Sequence, residues 1–199
     1  MNLPNKLTIF RIILVPIMVI IPFLGIKGDL WGIPITYLLV DLIFITAAIT
    51  DKLDGHIARS RNQITTFGKF LDPIADKIVV IAAMIMLVEF GHLPAWIPII
   101  VIFREFIVSG YRLVAVQKEG NVIAASIWGK MKTVTQMIAV ILAFIDPNPY
   151  GTIFNGNLTG YAFGINLLVT LMMSVSVVAT IFSGWEYVKN GKELFKDSM

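Results

Sequence analysis

Six apolar runs, each long enough to cross a lipid bilayer as a helix, occupy most of this sequence. A helix rises 1.5 Å per residue, so about 20 residues span a hydrocarbon core of about 30 Å. Backbone groups inside lipid must pair within their own segment, which favours helices over isolated strands. We therefore predict an all-α membrane protein, a single domain over residues 1–199. Its six transmembrane helices are predicted at residues 7–26, 31–50, 70–90, 94–117, 124–145 and 159–188.

The composition excludes several other classes of protein. Hydrophobic residues make up 57% of the chain and charged residues 15%, against about 25% charged in an average soluble domain. There is no cysteine, which excludes a disulfide scaffold and thiol chemistry. The formal charge of +3 is too small to indicate nucleic-acid binding, so we expect no nucleic-acid partner.

Lysine and arginine are unevenly distributed between the two ends of the predicted helices. If the N-terminus is cytoplasmic, the outer loops carry only Lys27. The inner loops and inner helix ends then carry Lys6, Arg59, Arg61, Lys69, Lys118, Lys130, Lys132, Lys189, Lys192 and Lys196. Such an excess is typical of the cytoplasmic side. We therefore expect a multi-pass protein of the cell membrane with both termini in the cytoplasm.

Four aspartates interrupt the apolar pattern at the predicted cytoplasmic border of the second and third helices. They fall, with three small residues, on two helical stripes: Asp51, Asp54, Gly55 and Ala58 at i, i+3, i+4 and i+7, then Gly68, Asp72 and Asp76 at intervals of four. Because these helices are predicted to be antiparallel neighbours, we expect the four carboxylates to converge. Pro73 predicts either a kink in the third helix or a helix that begins later.

Converging carboxylates near lipid need a positive charge among them. An aspartate at the centre of a spanning helix costs about 2.5–3.5 kcal/mol on insertion scales, and less toward the interface. Hard oxygen ligands, with no cysteine and two histidines in the chain, favour Mg²⁺ or Mn²⁺ over zinc. Two such ions, an arrangement used in phosphoryl chemistry, are the predicted cofactors. Gly55 and Gly68 would let a phosphorylated ligand approach the backbone, and Arg59 could bind its oxygens. For any single aspartate a solvated loop is the favoured explanation, but the helical stripes argue against it for the set.

The spacing of this motif resembles the complete signature of the CDP-alcohol phosphotransferases. Its eight fixed positions are Asp51, Asp54, Gly55, Ala58, Arg59, Gly68, Asp72 and Asp76. The resemblance implies transfer of a substituted phosphate from a CDP-linked lipid to an alcohol, with release of CMP, in a homodimer. It also implies that the four aspartates are metal ligands, that Asp76 is the general base, and that the other four positions receive the CDP moiety.

Three further stretches resemble the phosphatidylglycerophosphate synthases within this family: residues 4–11, residues 104–107 with Arg112, and residues 128–133. The substrates implied are CDP-diacylglycerol and sn-glycerol 3-phosphate. An acceptor that carries its own phosphate needs cations, and the candidates are Arg104, Arg112, Lys130 and Lys132. Anchoring to anionic lipid is an equal alternative for the two lysines. Arg104 lies near mid-span, so we expect it to pack against Glu105 or Asp41 or to line a polar cavity.

The first helix opens with a short polar stripe. Asn5, Thr8 and Arg11 lie at i, i+3 and i+6. Asn5 and Thr8 are candidates for contact with the CDP-lipid, and anchoring to lipid head groups is equally compatible with the stripe.

Two other functions remain open from the sequence. Within the family, the acceptor could be another alcohol such as inositol phosphate. Outside it, carboxylates within membrane helices often mark a cation or proton transporter. Transporter sites lie near the bilayer midplane on broken helices, whereas these aspartates lie at one edge.

Overall fold

The computed structural model describes residues 2–60, 65–119, 127–156 and 158–190. Within these ranges, side chains are described except at residues 56, 58, 59, 66, 67, 69, 113–119 and 190. The described residues form six α-helices: α1 (Leu3–Ile20), α2 (Ile35–Ser60), α3 (Thr66–Glu89), α4 (Trp96–Glu119), α5 (Ile127–Ile145) and α6 (Gly160–Asn190). One helix corresponds to each predicted apolar run, so the all-α prediction is confirmed.

Several helix boundaries differ from the prediction: α1, for example, is predicted at residues 7–26 and observed at Leu3–Ile20, followed by a 3-10 turn at Ile21–Leu24. Two of the differences are informative. Residues 31–34 were expected to begin the second helix, but they belong to a small hairpin of β1 (Asp29–Leu30) and β2 (Ile33–Pro34). The two turn residues, Trp31 and Gly32, both have positive φ, as the tight turn of such a hairpin requires. Helix α3 begins before Pro73, at Thr66, because the Thr65 hydroxyl accepts a hydrogen bond from the Gly68 backbone N–H and caps the helix. The alternative of a helix that begins beyond Pro73 is therefore wrong.

The helices bury a continuous apolar core. Helix α1 packs against α2 and α3, while α6 packs against α5 and α4. The largest buried core side chains include Met18, Phe44, Met84, Leu87, Ile97, Val140, Phe144 and Met173. The outer surface is also apolar, with exposed side chains such as Phe23, Phe103, Phe106, Val134, Leu171 and Ile181. An apolar exterior around a packed interior is expected where hydrocarbon replaces water as the solvent.

Three segments of the described chain are long and apolar enough to cross a membrane: Leu3–Leu24, Ile127–Ile145 and Gly160–Lys189. Helices α2, α3 and α4 carry more charge, because they hold the aspartates and the Arg104–Glu105 pair. The membrane architecture is thus supported by half of the helices. Six spans and cytoplasmic termini stay predictions.

The ends of α3, α5 and α6 that lie away from the aspartates are joined by a buried polar network. The Tyr150 backbone N–H donates to the His92 carbonyl at 2.9 Å, which links the turn after α3 to the turn after α5. The Asn166 side-chain amide of α6 donates to the fully buried Asp146 carboxylate at 2.7 Å. Its oxygen accepts from the Ile153 N–H at 3.0 Å. These bonds fix the three helices to one another at this end.

We expect Asn166→Ala to destabilise the protein by about 1–3 kcal/mol, because it leaves the buried Asp146 carboxylate without one of its donors. Reversible unfolding in detergent measures the change. Asn155→Ala, at an exposed position in the same loop region, is the matched control and should change stability by less than about 0.5 kcal/mol. Equal effects of the two substitutions would contradict this role of Asn166.

Candidate active site

The first half of α1, the C-terminal part of α2 and the N-terminal half of α3 meet around a single guanidinium group. Arg11 of α1 is 1% exposed. Its Nη1 lies 2.9 Å from Asp51 Oδ1 and also binds Asp76, while its Nη2 binds Asp54. Three of the four predicted metal ligands are therefore brought together, and the positive charge among them is an arginine from a third helix.

The fourth aspartate is held by the neighbouring turn of α1. The Thr8 hydroxyl donates to Asp72 Oδ1 at 2.6 Å. The next polar residue, Asn5, accepts a hydrogen bond at 3.0 Å from the hydroxyl of Thr65, which caps α3. Asn5, Thr8 and Arg11 are all buried. The polar stripe of α1 thus faces the aspartates, a placement that favours a role in the site over anchoring to lipid head groups.

Gly68 lies at a close contact between α1 and α3. A Cβ added at this position would lie 2.9 Å from Asn5 Oδ1 and 3.2 Å from Thr65 Oγ1. Glycine is therefore required for this contact between the two helices. Gly55 lies one residue after Asp54 on α2 and is partly buried. The side chains of Ala58 and Arg59, the other two predicted contacts of the CDP moiety, lie outside the described residues.

The chemistry of the donor set suits a divalent metal. Asp51, Asp54, Asp72 and Asp76 supply only hard carboxylate oxygens, which Mg²⁺ and Mn²⁺ prefer. Within the described ranges, no three acidic or histidine side chains are arranged as a metal-binding group. The oxygens of Asp51, Asp54 and Asp76 that face one another are directed at Arg11 instead. The metal centre therefore stays a prediction, and the chemistry of these four residues is compatible with it.

A cavity of about 750 Å³ lies beside the aspartates. It is bounded by α3, α4, α5 and α6. The charged and aromatic residues that line it are Asp72, Asp76, Lys77, Arg104, Glu105, Arg112, Lys130, Lys132 and Tyr187. The predicted general base and all four predicted acceptor-binding cations therefore share one cavity.

Glu105 organises the cations of this cavity. Its Oε1 accepts from Arg104 Nη1 at 2.8 Å and from Lys132 Nζ at 2.7 Å, and its Oε2 lies 3.8 Å from Lys77 Nζ. Of the alternatives for Arg104, pairing with Glu105 and lining the cavity are both observed. Lys132 is 7% exposed, so it is not a surface anchor for lipid, whereas Lys130 is exposed at the cavity and that alternative stays open for it.

Arg112 is held at the far side of the cavity by α6. Its Nη2 donates to the Tyr187 hydroxyl at 2.8 Å, and its guanidinium carbon lies 5.6 Å from the centre of the Tyr187 ring. Five cations (Lys77, Arg104, Arg112, Lys130 and Lys132) surround one carboxylate, Glu105, on this side. The excess of positive charge suits an anionic ligand.

Four residues of the site were not predicted as site residues from the sequence: Arg11, Lys77, Glu105 and Tyr187. Glu105 was expected only as a packing partner of Arg104. Arg11 lies on the same polar stripe as Asn5 and Thr8. Once one residue of this stripe is placed at the site, the helical spacing predicts that Arg11 also faces it. Lys77 follows Asp76 directly in the chain. Tyr187 carries no local signal, because its role depends on the packing of α6 against α4.

Comparison with known proteins identifies relatives over nearly the full chain. The family model for CDP-alcohol phosphatidyltransferase matches residues 1–182. The CDP-diacylglycerol–glycerol-3-phosphate 3-phosphatidyltransferase of Bacillus subtilis (strain 168) is 42% identical over 205 residues, covering 99% of this chain and 98% of that protein. The enzyme of the same name from Haemophilus influenzae is 37% identical and covers 100% of this chain and 97% of its own length. A probable phosphatidylglycerophosphate synthase of Mycobacterium tuberculosis is 34% identical over 94% of this chain and 80% of its own length.

We expect Gly68→Ala to destabilise the protein by about 1–3 kcal/mol, because the added methyl group would displace Asn5 and break its hydrogen bond with Thr65. Unfolding in detergent measures the loss. Gly110→Ala is the matched control, since it is also a helical glycine but nothing lies within 4 Å of an added Cβ there. The control should stay within about 1 kcal/mol of the parent protein, and a Gly68 variant of the same stability would contradict the predicted clash.

Proposed function

Because this chain belongs to the CDP-alcohol phosphatidyltransferase family, we propose that it transfers the phosphatidyl group of CDP-diacylglycerol to sn-glycerol 3-phosphate. The products are phosphatidylglycerophosphate and CMP. One observation carries the assignment of the site: Asp76 and a cluster of cations line the same cavity of about 750 Å³. A base and an anion-binding surface are what an alcohol that bears a phosphate requires.

The proposal includes the orientation of the protein in the cell membrane. All six helices span the bilayer, with both termini and the aspartates on the cytoplasmic side. The distribution of lysine and arginine supports this orientation, because Lys27 alone lies in the predicted outer loops. The acyl chains of the lipid substrate stay in the bilayer, so its head group enters the cavity sideways between helices. The protein acts as a homodimer, as the family resemblance implies.

We further propose that Asp51, Asp54, Asp72 and Asp76 would hold one or two Mg²⁺ or Mn²⁺ ions. When bound, such ions supply positive charge next to the diphosphate of the CDP-lipid and the leaving CMP. Asn5, Thr8, Gly55, Ala58, Arg59 and Gly68 form the binding site for that lipid. The hydrogen bond from Thr8 orients the Asp72 carboxylate at the edge of this site.

The acceptor binds on the opposite side of the cavity. Arg112, Lys130, Lys132 and Arg104 bind its phosphate, and Glu105 orients Lys132 and Arg104. Asp76 accepts the proton of the acceptor's primary hydroxyl group while the oxygen of that hydroxyl attacks the phosphorus that bears the lipid. A new P–O bond forms, the P–O bond to CMP breaks, and CMP leaves with the electron pair.

The two alternative functions have less support. An inositol phosphate acceptor would use the same cations, but the relatives of this chain carry glycerol 3-phosphate in their names. A transporter would place its carboxylates on broken helices near the bilayer midplane. Here the aspartates lie on α2 and α3, both assigned as continuous helices through Asp51, Asp54, Asp72 and Asp76.

The first test is release of CMP from CDP-diacylglycerol by detergent-solubilised protein with Mg²⁺ or Mn²⁺. We expect release only when sn-glycerol 3-phosphate is added, with inositol phosphate and serine inactive as acceptors. Removal of the metal with EDTA should abolish it. Release driven by inositol phosphate alone would change the assigned acceptor, and no release under any condition would contradict the proposed activity.

Asp76→Asn should reduce CMP release by at least about 10²-fold, because the amide cannot accept the proton of the attacking hydroxyl. Binding of CDP-diacylglycerol, measured with a fluorescent analogue, should be retained. Asp29→Asn, in the exposed hairpin, is the matched control and should release CMP at the parent rate. Turnover by Asp76→Asn close to that of the control would remove Asp76 from the proposed role.

Arg112→Ala should raise the KM for sn-glycerol 3-phosphate by about 10- to 100-fold, as expected for the loss of a charged hydrogen bond. The KM for CDP-diacylglycerol should change much less. Tyr187→Phe, which removes only the hydroxyl partner of Arg112, should have a smaller effect of the same kind. Equal changes in the two KM values would argue against acceptor binding at Arg112.

A further inference from the structure

Arg11 lies among three of the four aspartates that would hold a metal ion. Its two terminal nitrogens contact Asp51 Oδ1, Asp54 Oδ2 and Asp76 Oδ1. A guanidinium nitrogen and a metal ion cannot use the same lone pairs at the same place, and two cations so close together repel each other.

Among the described residues, the contacts leave Arg11 with one unpaired donor and leave the three carboxylates only partly neutralised. Arg11 is almost completely buried, yet its Nε atom has no hydrogen-bond partner in the described part of the chain. A buried donor without a partner is unfavourable. One positive charge also neutralises only part of the three carboxylates that it contacts. The site therefore keeps a negative charge that attracts further cations.

We infer that Arg11 is the internal counter-ion of the metal-free site and competes with the metal for Asp51, Asp54 and Asp76. This inference rests on the metal centre included in the proposed function. Arg11 holds α1 against α2 and α3 when no metal is bound, and it leaves the three carboxylates when the metal binds. The apparent affinity for metal is then lowered by the fraction of protein in which Arg11 occupies the site.

A purely structural role for Arg11 predicts a different result. If Arg11 only tied the three helices together, its loss would destabilise the protein with or without metal, and metal affinity would fall or stay the same. If it competes with the metal, its loss destabilises the metal-free protein and raises metal affinity. The two roles are thus separated by the direction of the change in affinity.

The test is direct Mn²⁺ binding, with free Mn²⁺ followed by electron paramagnetic resonance in detergent-solubilised protein without substrates. We expect Arg11→Gln to lower the Kd for Mn²⁺ by at least about tenfold. In EDTA this variant should have a lower unfolding temperature than the parent, and Mn²⁺ should recover most of the difference. Lys6→Gln is the matched control, because it removes the same charge from an exposed position of the same helix and should leave the Kd within about twofold.

Arg11→Lys keeps the inference testable if Arg11→Gln does not fold. An ammonium group carries the charge but lacks the planar fork, so it competes less well, and the Kd should lie between those of the parent and Arg11→Gln. A Kd for Arg11→Lys or Arg11→Gln that equals or exceeds the parent value overturns the competition while leaving the metal centre in place. Absence of Mn²⁺ binding in the parent and in both variants overturns the proposed metal centre together with the inference.

Discussion

The structure depends on the neutralisation of carboxylates that α2 and α3 bring together. Asp51 and Asp54 on α2 and Asp76 on α3 would repel one another, and Arg11 on α1 binds all three. Because these contacts join three helices, the same interaction assembles the site and holds this end of the bundle together. Arg11 and Asp54 are both buried, so breaking that pair is costly, since it leaves an uncompensated buried charge.

Around Arg11 negative side chains are in excess, whereas positive side chains are in excess in the cavity beside the aspartates. Glu105 is shared by Arg104, Lys132 and Lys77, so the carboxylate positions the cations without cancelling their charge. Asp72 and Asp76 on α3 and the cations on α4 and α5 thus line the same cavity of about 750 Å³. The aspartates suit metal and the cations suit phosphate, so two anionic substrates can approach one base without sharing a binding surface.

The sequence predicted the fold better than it predicted the site. Apolar runs are a property of each segment alone, and all six correspond to helices. The error at residues 31–34 arose because the apolar pattern does not distinguish a hairpin from a helix end, while Trp31 takes a positive φ that a bulky residue adopts rarely. Within the site, helical spacing was sufficient to group Asp51 with Asp54 and Asp72 with Asp76. The place of Arg11 was not predictable in this way, because it depends on how α1 packs against α2 and α3, more than 40 residues away along the chain.

The polar network around Asp146 has a mechanical consequence for the helices that it joins. It ties the turn after α3 to the turn after α5 and to α6, at the end of the bundle away from the aspartates. Because α3, α5 and α6 are joined at this end, they can separate from one another more easily at the opposite end. Any widening between α3, α5 and α6 is therefore expected at the opposite end, which carries the aspartates.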